Sequence, residues 1–327
     1  MILPDYSETI TKDKKRQVMK DRILGLHHVT AIAGSAKRNF DFYTKVLGLR
    51  LVKKTVNFDD PGTYHFYFGD EIGTPGSILT FFPWEGICAG KQGTGQTTEV
   101  THSVPEGSLI FWRERLAKQG VAISGEGKRF HEDYISFEDP DGLPLTLLVA
   151  STPDERIGWE TNEVTKTVAI KGFHSVTLTL NQKDATAKVL QLLGYTQTGS
   201  EGSRYRYATD AIPTASIIDI VETNGPAGIN AAGTIHHIAF RVKDEEVQMA
   251  FRKKIVDAGY QITPKIDRNY FYSLYFREPG GILFEIATDN PGFAIDESIS
   301  ELGTNLKLPA QYERHREQIA MSLPALK

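Results

Sequence analysis

Two histidine pairs and one glutamate are the residues of this chain whose types and spacing could do chemistry. His27 and His28 lie near the start of the sequence, while His236, His237 and Glu285 lie near its end. All five stand in short apolar runs, where an imidazole or a carboxylate is costly to bury unless something pairs with it. A divalent metal ion would do so, since both groups are common metal ligands. The pattern predicts a metal site, provided that the fold brings the two ends of the chain together.

The two histidine pairs mark copies of a repeated unit. Its marker occurs four times, as Leu26-His27-His28-Val29, Thr101-His102-Ser103-Val104, Phe173-His174-Ser175-Val176 and Ile235-His236-His237-Ile238. Each copy continues as a short apolar strand pattern and then as a helical pattern that ends at a glycine. These glycines are Gly48, Gly120, Gly194 and Gly259. About three further strand-like runs follow each glycine, which predicts four βαβββ modules.

Four such modules predict an α+β fold. One open sheet of this size cannot bury both faces, so we expect the modules to pair into curved, half-barrel cups, the first with the fourth and the second with the third. The polar segment around residues 151–166 separates the two halves of the chain. The predicted organisation is an N-terminal extension at 1–23, a first half at 24–155 with modules at 24–84 and 97–151, a second half at 166–288 with modules at 170–222 and 234–288, and a tail with a helix at 289–327.

Composition and charge narrow the class of protein. The 327 residues include 37 basic and 41 acidic side chains, a balance that does not favour a nucleic-acid partner. No stretch approaches the roughly 20 apolar residues of a membrane-spanning helix. Cys88 is the only cysteine, so no internal disulfide can form. We therefore expect a globular protein of the reducing cytoplasm without nucleic-acid or membrane partners, and the composition leaves a homo-oligomer open.

Equivalent positions of the modules can be compared directly. The second marker residue is His28, Ser103, Ser175 and His237 in turn, and the last-strand position, counted from the preceding turn proline, is Phe81, Thr146, Asp219 and Glu285. A cup built from modules one and four then holds two histidines, one glutamate and a gap. Such a facial set with open positions is typical of non-haem iron(II) enzymes that bind substrate and dioxygen side by side. The other cup has a poor ligand set, and we interpret it as structural.

Strand alternation limits which histidines can be ligands. Only one residue of each pair can face the cup interior, and both choices stay open at this point. The isolated histidines are interpreted as packing residues: His65, His102, His131, His174 and His315.

The hairpin that leads to Glu285 adds two candidates. Its turn is centred on Gly280, which places Tyr275 directly opposite Glu285. A phenol beside a metal carboxylate could orient a ligand or transfer a proton. Arg268, seven residues before Tyr275, could hold a phenolate or a carboxylate.

These residues and modules resemble the vicinal oxygen chelate superfamily, and within it the ring-cleaving dioxygenases that act on hydroquinones. The resemblance covers about residues 24–320, and its most specific features are the two histidine pairs, Thr30, Arg268, Tyr275 and Glu285. It implies iron(II) bound by His28, His237 and Glu285. It also implies that His27, His236, Arg268 and Tyr275 surround the substrate and dioxygen as catalytic residues.

The resemblance implies a ring-cleaving, extradiol-type dioxygenase of aromatic compound degradation, with a small aromatic substrate and dioxygen as partners. Iron(II) is the implied cofactor, with manganese(II) or another divalent metal as the alternative. Catechol-cleaving relatives take their first histidine from the third unit, where this chain has Ser175, which favours hydroquinones over catechols. Two other functions of the same fold stay open: a glyoxalase-like lyase or isomerase that uses a metal, and a metal-free protein that binds an aromatic compound or an antibiotic.

Overall fold

The computed structural model of the protein describes residues 22–326, in which four βαβββ modules follow one another. The first module comprises β1 (Leu26–Ala33), α1 (Ala36–Asp41, continued by a π-helical turn at Phe42–Val46), β2 (Arg50–Val56), β3 (Tyr64–Gly69) and β4 (Ile78–Pro83). The second comprises β5 (Gln96–Ser103), α2 (Leu109–Lys118), β6 (Ile123–Arg129), β7 (Glu132–Glu138) and β8 (Pro144–Leu148). Apart from Arg22 and Ile23, the predicted N-terminal extension lies outside the described residues.

The second half of the chain repeats this order. The third module comprises β9 (Gly172–Leu180), α3 (Asp184–Leu192), β10 (Thr196–Glu201), β11 (Arg204–Ala208) and β12 (Ile217–Glu222). The fourth comprises β13 (Thr234–Val242), α4 (Glu245–Asp257), β14 (Ile266–Asp267), β15 (Phe271–Arg277) and β16 (Leu283–Pro291). Short 3-10 turns follow at Phe293–Ile295, Ile299–Glu301 and Ala310–His315, and α5 (Arg316–Ser322) comes last.

The modules pair as predicted, the first with the fourth and the second with the third. One eight-stranded sheet has the order β14-β15-β16-β13-β1-β4-β3-β2, and we call it the first cup. The other has the order β10-β11-β12-β9-β5-β8-β7-β6, and we call it the second cup. In each cup the first strands of two modules, β1 with β13 and β5 with β9, lie antiparallel at the centre. The α+β prediction and the pairing of distant modules are thus confirmed.

Each module helix ends near the glycine that the repeat places there. Gly48, Gly120, Gly194 and Gly259 all have positive φ angles, between 68° and 90°. A residue with a Cβ rarely adopts this left-handed conformation, whereas glycine adopts it readily and ends a helix with it. None of the helices in residues 22–326 is long and apolar enough to cross a membrane.

The apolar core joins all four modules. Phe81, Trp112, Leu190 and Phe284, one from each module, are fully buried members of one cluster. Because successive strand residues point to opposite faces, this cluster takes one face of each sheet and leaves the other face for the cup interior. The core therefore fixes which side chains of β1, β4, β13 and β16 reach the site.

The tail beyond residue 288 packs against the far edge of the first cup. Leu308, Ile319 and Leu323 form a small apolar cluster with Val56 of β2. The ammonium group of Lys53, fully buried on the same strand, lies 2.6 Å from Asp296 and 2.5 Å from Glu297. The tail thus neutralises a buried cation and covers an edge strand that would otherwise be exposed.

Candidate metal centre

The centre of the first cup holds His28, His237 and Glu285. The two histidines lie on the antiparallel strands β1 and β13, and Glu285 lies on β16, whose register places it beside Ala239 of β13. All three side chains are buried, with exposures of 2%, 5% and 0%. Residues of the first and the last module therefore meet here, because these two modules share one sheet.

Three atoms of these residues form a nearly equilateral triangle. The Nε2 atoms of His28 and His237 are 3.3 Å apart, and they lie 3.2 and 2.9 Å from Oε2 of Glu285. Ligands that bind one metal at about 2.1 Å and at right angles are about 3 Å apart, so the donor set fits a metal ion. Oε2 of Glu285 has no hydrogen-bond partner in the described part of the chain. Within residues 22–326 these three residues are the one group of histidine, cysteine and carboxylate side chains placed to hold a metal.

Each histidine of the triangle is held by the histidine before it. Nδ1 of His28 lies 2.9 Å from Nδ1 of His27, and Nδ1 of His237 lies 2.7 Å from Nδ1 of His236. A histidine that offers its Nε2 lone pair to a metal carries its proton on Nδ1, so the histidine before it must be neutral and accept a hydrogen bond from that N–H group. Burial, followed by the charge of His237, lowers the pKa of His236 to about 3. Burial, followed by the charge of His28, likewise lowers the pKa of His27 well below its ordinary value.

Glu285 is oriented by the neighbouring strand β15. The hydroxyl group of Ser273 donates to Oε1 of Glu285 at 2.5 Å, and the register confirms that Tyr275 lies opposite Glu285. Burial would raise the pKa of the Glu285 carboxyl group, but His28 and His237 hold it well below the ordinary value. The carboxylate is therefore ionised, with Oε1 bonded to Ser273 and Oε2 facing the histidines.

Tyr275 and Arg268 lie together beside this group. The Tyr275 ring packs edge-on against the ring of His237, with centroids 5.6 Å apart, and the guanidinium carbon of Arg268 lies 5.5 Å from the centre of the Tyr275 ring. Burial and the negative charge of Glu285 raise the pKa of Tyr275, so it remains a phenol. Arg268 also lies 3.4 Å from the carboxylate of Asp59.

A cavity of about 320 Å³ opens onto the triangle. His28, His237, His236, Arg268 and Tyr275 line it, together with aromatic side chains. These aromatic residues are Phe58, Tyr67, Phe82, Trp84 and Phe271. His27 is not among the lining residues: it lies behind His28, with its ring centroid 5.0 Å from that of Phe271. The volume and the aromatic walls suit a single aromatic ring.

The fourth position of the site is Thr80, not Phe81 as the residue count predicted. Glu285 pairs with Ala239, two residues after His237, and the equivalent pair in the first module is Thr80 with Thr30, two residues after His28. Phe81 points to the core instead, where its ring centroid lies 4.5 Å from that of Tyr43. A shift of one residue moves a strand side chain to the opposite face of the sheet, and the count from the turn proline was wrong by that one residue.

His65 is a functional candidate that the sequence reasoning missed. It was interpreted as a packing residue, but it lines the cavity, and its Nε2 lies 3.0 Å from the Thr80 hydroxyl oxygen. The hydroxyl oxygen of Tyr67 lies 2.9 Å from Nδ1 of His65. Tyr67 pairs with Thr80 as Tyr275 pairs with Glu285, so the two tyrosines occupy equivalent positions. A comparison of Tyr67 with Tyr275 in the sequence could have revealed this.

In the second cup, guanidinium groups take the place that a metal would have. Its central register places Thr101 beside Ser175 and Glu99 beside Thr177, so Glu99, and not Ser103 as predicted, is the equivalent of His28. The equivalent of Glu285 is Asp219, which pairs with Thr177. The marker in the second module is displaced along β5 relative to the strand register, and this displacement caused the error.

Three arginines hold the carboxylates of the second cup. Arg206 lies 2.9 Å from Asp219 and 2.7 Å from Glu132, Arg129 lies 3.1 Å from Glu99, and Arg204 lies 3.3 Å from Asp219. Glu132 also lies 3.2 Å from His174. The acidic side chains are thus neutralised by the chain itself, which agrees with a structural role for this cup.

The fold and the site together define a known family. The model of the Glyoxalase/Bleomycin resistance protein/Dioxygenase superfamily matches residues 25–147 and 148–286, and the chain belongs to this superfamily. The resemblance inferred from the sequence is thereby confirmed. Dioxygenases of the superfamily depend on a metal, and the triangle of His28, His237 and Glu285 is the candidate site for it.

Similar relatives are ring-cleaving dioxygenases. MhqO of Bacillus subtilis, assigned as a ring-cleaving dioxygenase, is 49% identical over 93% of this chain and 97% of its own length. The chlorohydroquinone/hydroquinone 1,2-dioxygenase of Sphingobium indicum is 36% identical over 93% of this chain and 97% of its own length. A crystal structure of a Bacillus subtilis protein assigned as a dioxygenase has 48% identity and a TM-score of 0.90, covering 94% of this chain and 98% of that one. Glyoxalase I of Zea mays, at 15% identity and a TM-score of 0.59, covers 81% of this chain and 92% of its own and shares the fold alone.

Proposed function

We propose that this protein is an iron(II)-dependent, ring-cleaving dioxygenase that acts on hydroquinone-type aromatic compounds with dioxygen. The observation that carries the proposal is the triangle of two imidazole nitrogens and one carboxylate oxygen at the bottom of an aromatic cavity. Two histidines and one carboxylate with open positions suit iron(II) better than a closed, four-ligand site would. Relatives at 36% to 49% identity that carry ring-cleaving dioxygenase names support the same reaction.

His28, His237 and Glu285 would hold the metal. When bound, iron(II) lowers the pKa of a phenolic hydroxyl and provides neighbouring positions for the phenolate and dioxygen. His27 and His236 would keep the two ligand rings in orientation by accepting hydrogen bonds from their Nδ1–H groups. Ser273 does the same for Glu285 through its hydrogen bond to Oε1.

The cavity residues would bind the substrate and move protons. Phe82, Trp84 and Phe271 provide flat apolar walls for the ring and exclude water. Arg268 places a positive charge where a phenolate oxygen would develop, and Tyr275, which burial keeps protonated, is a hydrogen-bond donor beside it. His236 is neutral and half-buried at the cavity wall, and because its Nδ1 faces His237, its Nε2 carries the proton and can donate a hydrogen bond to a bound substrate.

The donor set also favours this function over a glyoxalase-like one. Glyoxalase-type members of the superfamily usually use four protein ligands, and here the fourth position is Thr80, whose hydroxyl oxygen lies 2.8 Å from that of Thr30. We expect the protein to act in a reducing compartment such as the cytoplasm, since its single cysteine, Cys88, is exposed and free.

The experiment is oxygen uptake by anaerobically reconstituted protein. The chain is loaded with iron(II), manganese(II) or zinc(II), its metal content is measured, and each form is mixed with methylhydroquinone, chlorohydroquinone and catechol. We expect the iron(II) form to consume one dioxygen per diphenol and to prefer the hydroquinones. Protein with about one iron per chain that consumes no oxygen with any diphenol would contradict the proposal, and activity on a hemithioacetal under argon would replace it with a lyase function.

A further inference from the structure

Four side chains of the first module form one continuous hydrogen-bonded chain. The hydroxyl oxygen of Tyr67 lies 2.9 Å from Nδ1 of His65, and Nε2 of His65 lies 3.0 Å from the Thr80 hydroxyl oxygen. The Thr80 oxygen in turn lies 2.8 Å from that of Thr30. Both nitrogens of His65 are therefore engaged, so this histidine connects groups rather than offering a free nitrogen to a ligand.

Both ends of this chain reach the cavity that contains the candidate ligands. Thr30 and Tyr67 line that cavity together with His65, whereas Thr80 is fully buried beneath them. A hydroxyl group can donate one hydrogen bond and accept another, and a neutral imidazole donates with one nitrogen and accepts with the other. The chain can thus run in either direction, with its free donor at Thr30 or at Tyr67.

The members of the chain are held uncharged. Burial, together with the charges of His28 and His237, lowers the pKa of His65 well below its ordinary value. Burial, followed by Tyr275, raises the pKa of Tyr67. A chain of neutral groups cannot store a proton, but it can pass one along when each member receives a proton on one side and releases one on the other.

The fourth module uses the same positions for a different purpose. There the equivalents of Thr80, Tyr67 and His65 are Glu285, Tyr275 and Ser273. Ser273 bonds the carboxylate of Glu285, whereas His65 bonds a hydroxyl group that is connected to a second hydroxyl group. The fourth module thus contributes the carboxylate ligand, and the first module contributes an uncharged hydrogen-bonded path at the same level of the cup.

We propose that Thr30, Thr80, His65 and Tyr67 form a proton relay that carries a proton between two points of the substrate cavity during ring cleavage. A hydroxyl group of the diphenol gives its proton to the Thr30 oxygen, and the Thr30 proton passes to Thr80. The Thr80 proton passes to Nε2 of His65, the Nδ1 proton passes to the Tyr67 oxygen, and the Tyr67 proton goes to the ring-opened intermediate. His65 changes tautomer and stays neutral, no electrons move, and one proton has been transferred.

This relay rests on the proposed ring-cleaving function. A substitution of Thr80, the buried member of the relay, tests it. Thr80→Val removes the linking hydroxyl group without changing the cavity wall, whereas Thr80→Ser keeps it. Thr55→Val is the matched control, because Thr55 is buried on β2, pairs with His65, and has no hydrogen-bond partner for its hydroxyl group among the described residues. His65→Gln interrupts the same path at a residue outside the ligand set.

We expect Thr80→Val and His65→Gln each to lower kcat for the iron(II) protein by about 100-fold or more, as loss of proton transfer does. Their iron content, KM and anaerobic Kd for methylhydroquinone should change less than about threefold. The double variant should lose no more kcat than the more impaired single variant, because both substitutions interrupt the same path. Thr80→Ser, which keeps the hydroxyl group, should recover most of the kcat that Thr80→Val loses, and the control Thr55→Val should keep the wild-type kcat.

Failure of the relay can be distinguished from failure of the proposed function. A wild-type iron(II) protein that turns over diphenols, combined with a normal kcat in both Thr80→Val and His65→Gln, overturns the relay and leaves the proposed function intact. A wild-type protein that holds iron and consumes no oxygen with any diphenol overturns the function and the relay together.

Discussion

Thr80 occupies in the first module the place that Glu285 occupies in the fourth. Each lies on the last strand of its module, beside the residue two positions after a ligand histidine, and each pairs with a tyrosine on the next strand. The site is thus a nearly symmetric structure in which one carboxylate has been replaced by a hydroxyl group. This single difference leaves three candidate metal ligands instead of four.

A carboxylate at position 80 should close the site. We expect Thr80→Glu to retain the metal at least as well as the wild type but to lower ring-cleaving activity by about 100-fold or more, since a second carboxylate would take one of the positions that the substrates need and would repel a phenolate. Metal content and oxygen uptake of the same preparation measure both effects. Full activity in this variant, at one metal per chain, would contradict the equivalence of Thr80 and Glu285.

Removing the histidine behind a ligand should weaken metal binding. Nδ1 of His236 lies 2.7 Å from Nδ1 of His237 and would hold that ring by a hydrogen bond, so His236→Ala leaves the ring free to turn. We expect the affinity for iron(II) to fall about 10 to 100-fold, measured by competition with a chelator. His315→Ala, which changes an exposed histidine of the tail, should have the wild-type affinity. Equal affinities in all three proteins would exclude an orienting role for His236.

The second cup should contribute to the stability of the folded protein and not to metal binding. Arg206 is buried and pairs with both Asp219 and Glu132, so Arg206→Met removes a shared cation and leaves Arg204 beside Asp219 and His174 beside Glu132 as the remaining partners. We expect this change to lower the free energy of unfolding by about 3 to 5 kcal/mol in urea, with unchanged iron content in the folded protein. The control Arg113→Ala breaks the exposed pair with Glu126 and should cost less than about 1 kcal/mol. Loss of iron from folded Arg206→Met would show that the second cup takes part in the site.

Asp139 should make stability depend on pH. It accepts hydrogen bonds from the backbone of Asp141 and Leu143 and from the hydroxyl group of Tyr43, and burial raises its pKa from 3.8 to about 6. The folded state therefore binds this proton more tightly than the unfolded state does. The resulting stabilisation is complete below about pH 4 and is lost as the pH rises through 6.

Asp139→Asn removes this titration. Relative to the wild type, its free energy of unfolding should rise by up to about 3 kcal/mol between pH 4 and pH 7, measured by urea unfolding across that range. A difference between the two proteins that is constant with pH would rule out a raised pKa at Asp139.

The architecture could be predicted from the sequence because the chain repeats one module pattern four times. Four markers and four helix-ending glycines predict the four modules. Modules two and three have Ser103 and Ser175 where the other two modules have a second histidine, which indicates that modules one and four build the site together. The three candidate metal ligands were predicted from the same comparison once the resemblance chose between the histidines of each pair, and the structure places these three side chains together. Each of these signals depends on residue type and spacing alone.

Strand register was what the sequence could not supply. Counting along a loop gives a position to within about one residue, and one residue is the difference between Phe81 in the core and Thr80 in the cup. In the second module the marker is displaced along β5, so Glu99 was overlooked in favour of Ser103. His65 was missed for the same reason, because its role depends on Thr80 and Tyr67 facing the same side as His28.

The central claim is that His28 and His237, joined across the β1 and β13 pair, form with Glu285 an iron site that cleaves aromatic rings. The most direct measurement is mass spectrometry of the product formed from methylhydroquinone under ¹⁸O₂ by iron(II) protein and by its Glu285→Ala variant. We expect the wild type to give an acyclic product that carries ¹⁸O from the gas, and the variant to give neither bound iron nor product. An unchanged aromatic ring with wild-type protein that holds one iron per chain, or undiminished ring cleavage by Glu285→Ala, would contradict the claim.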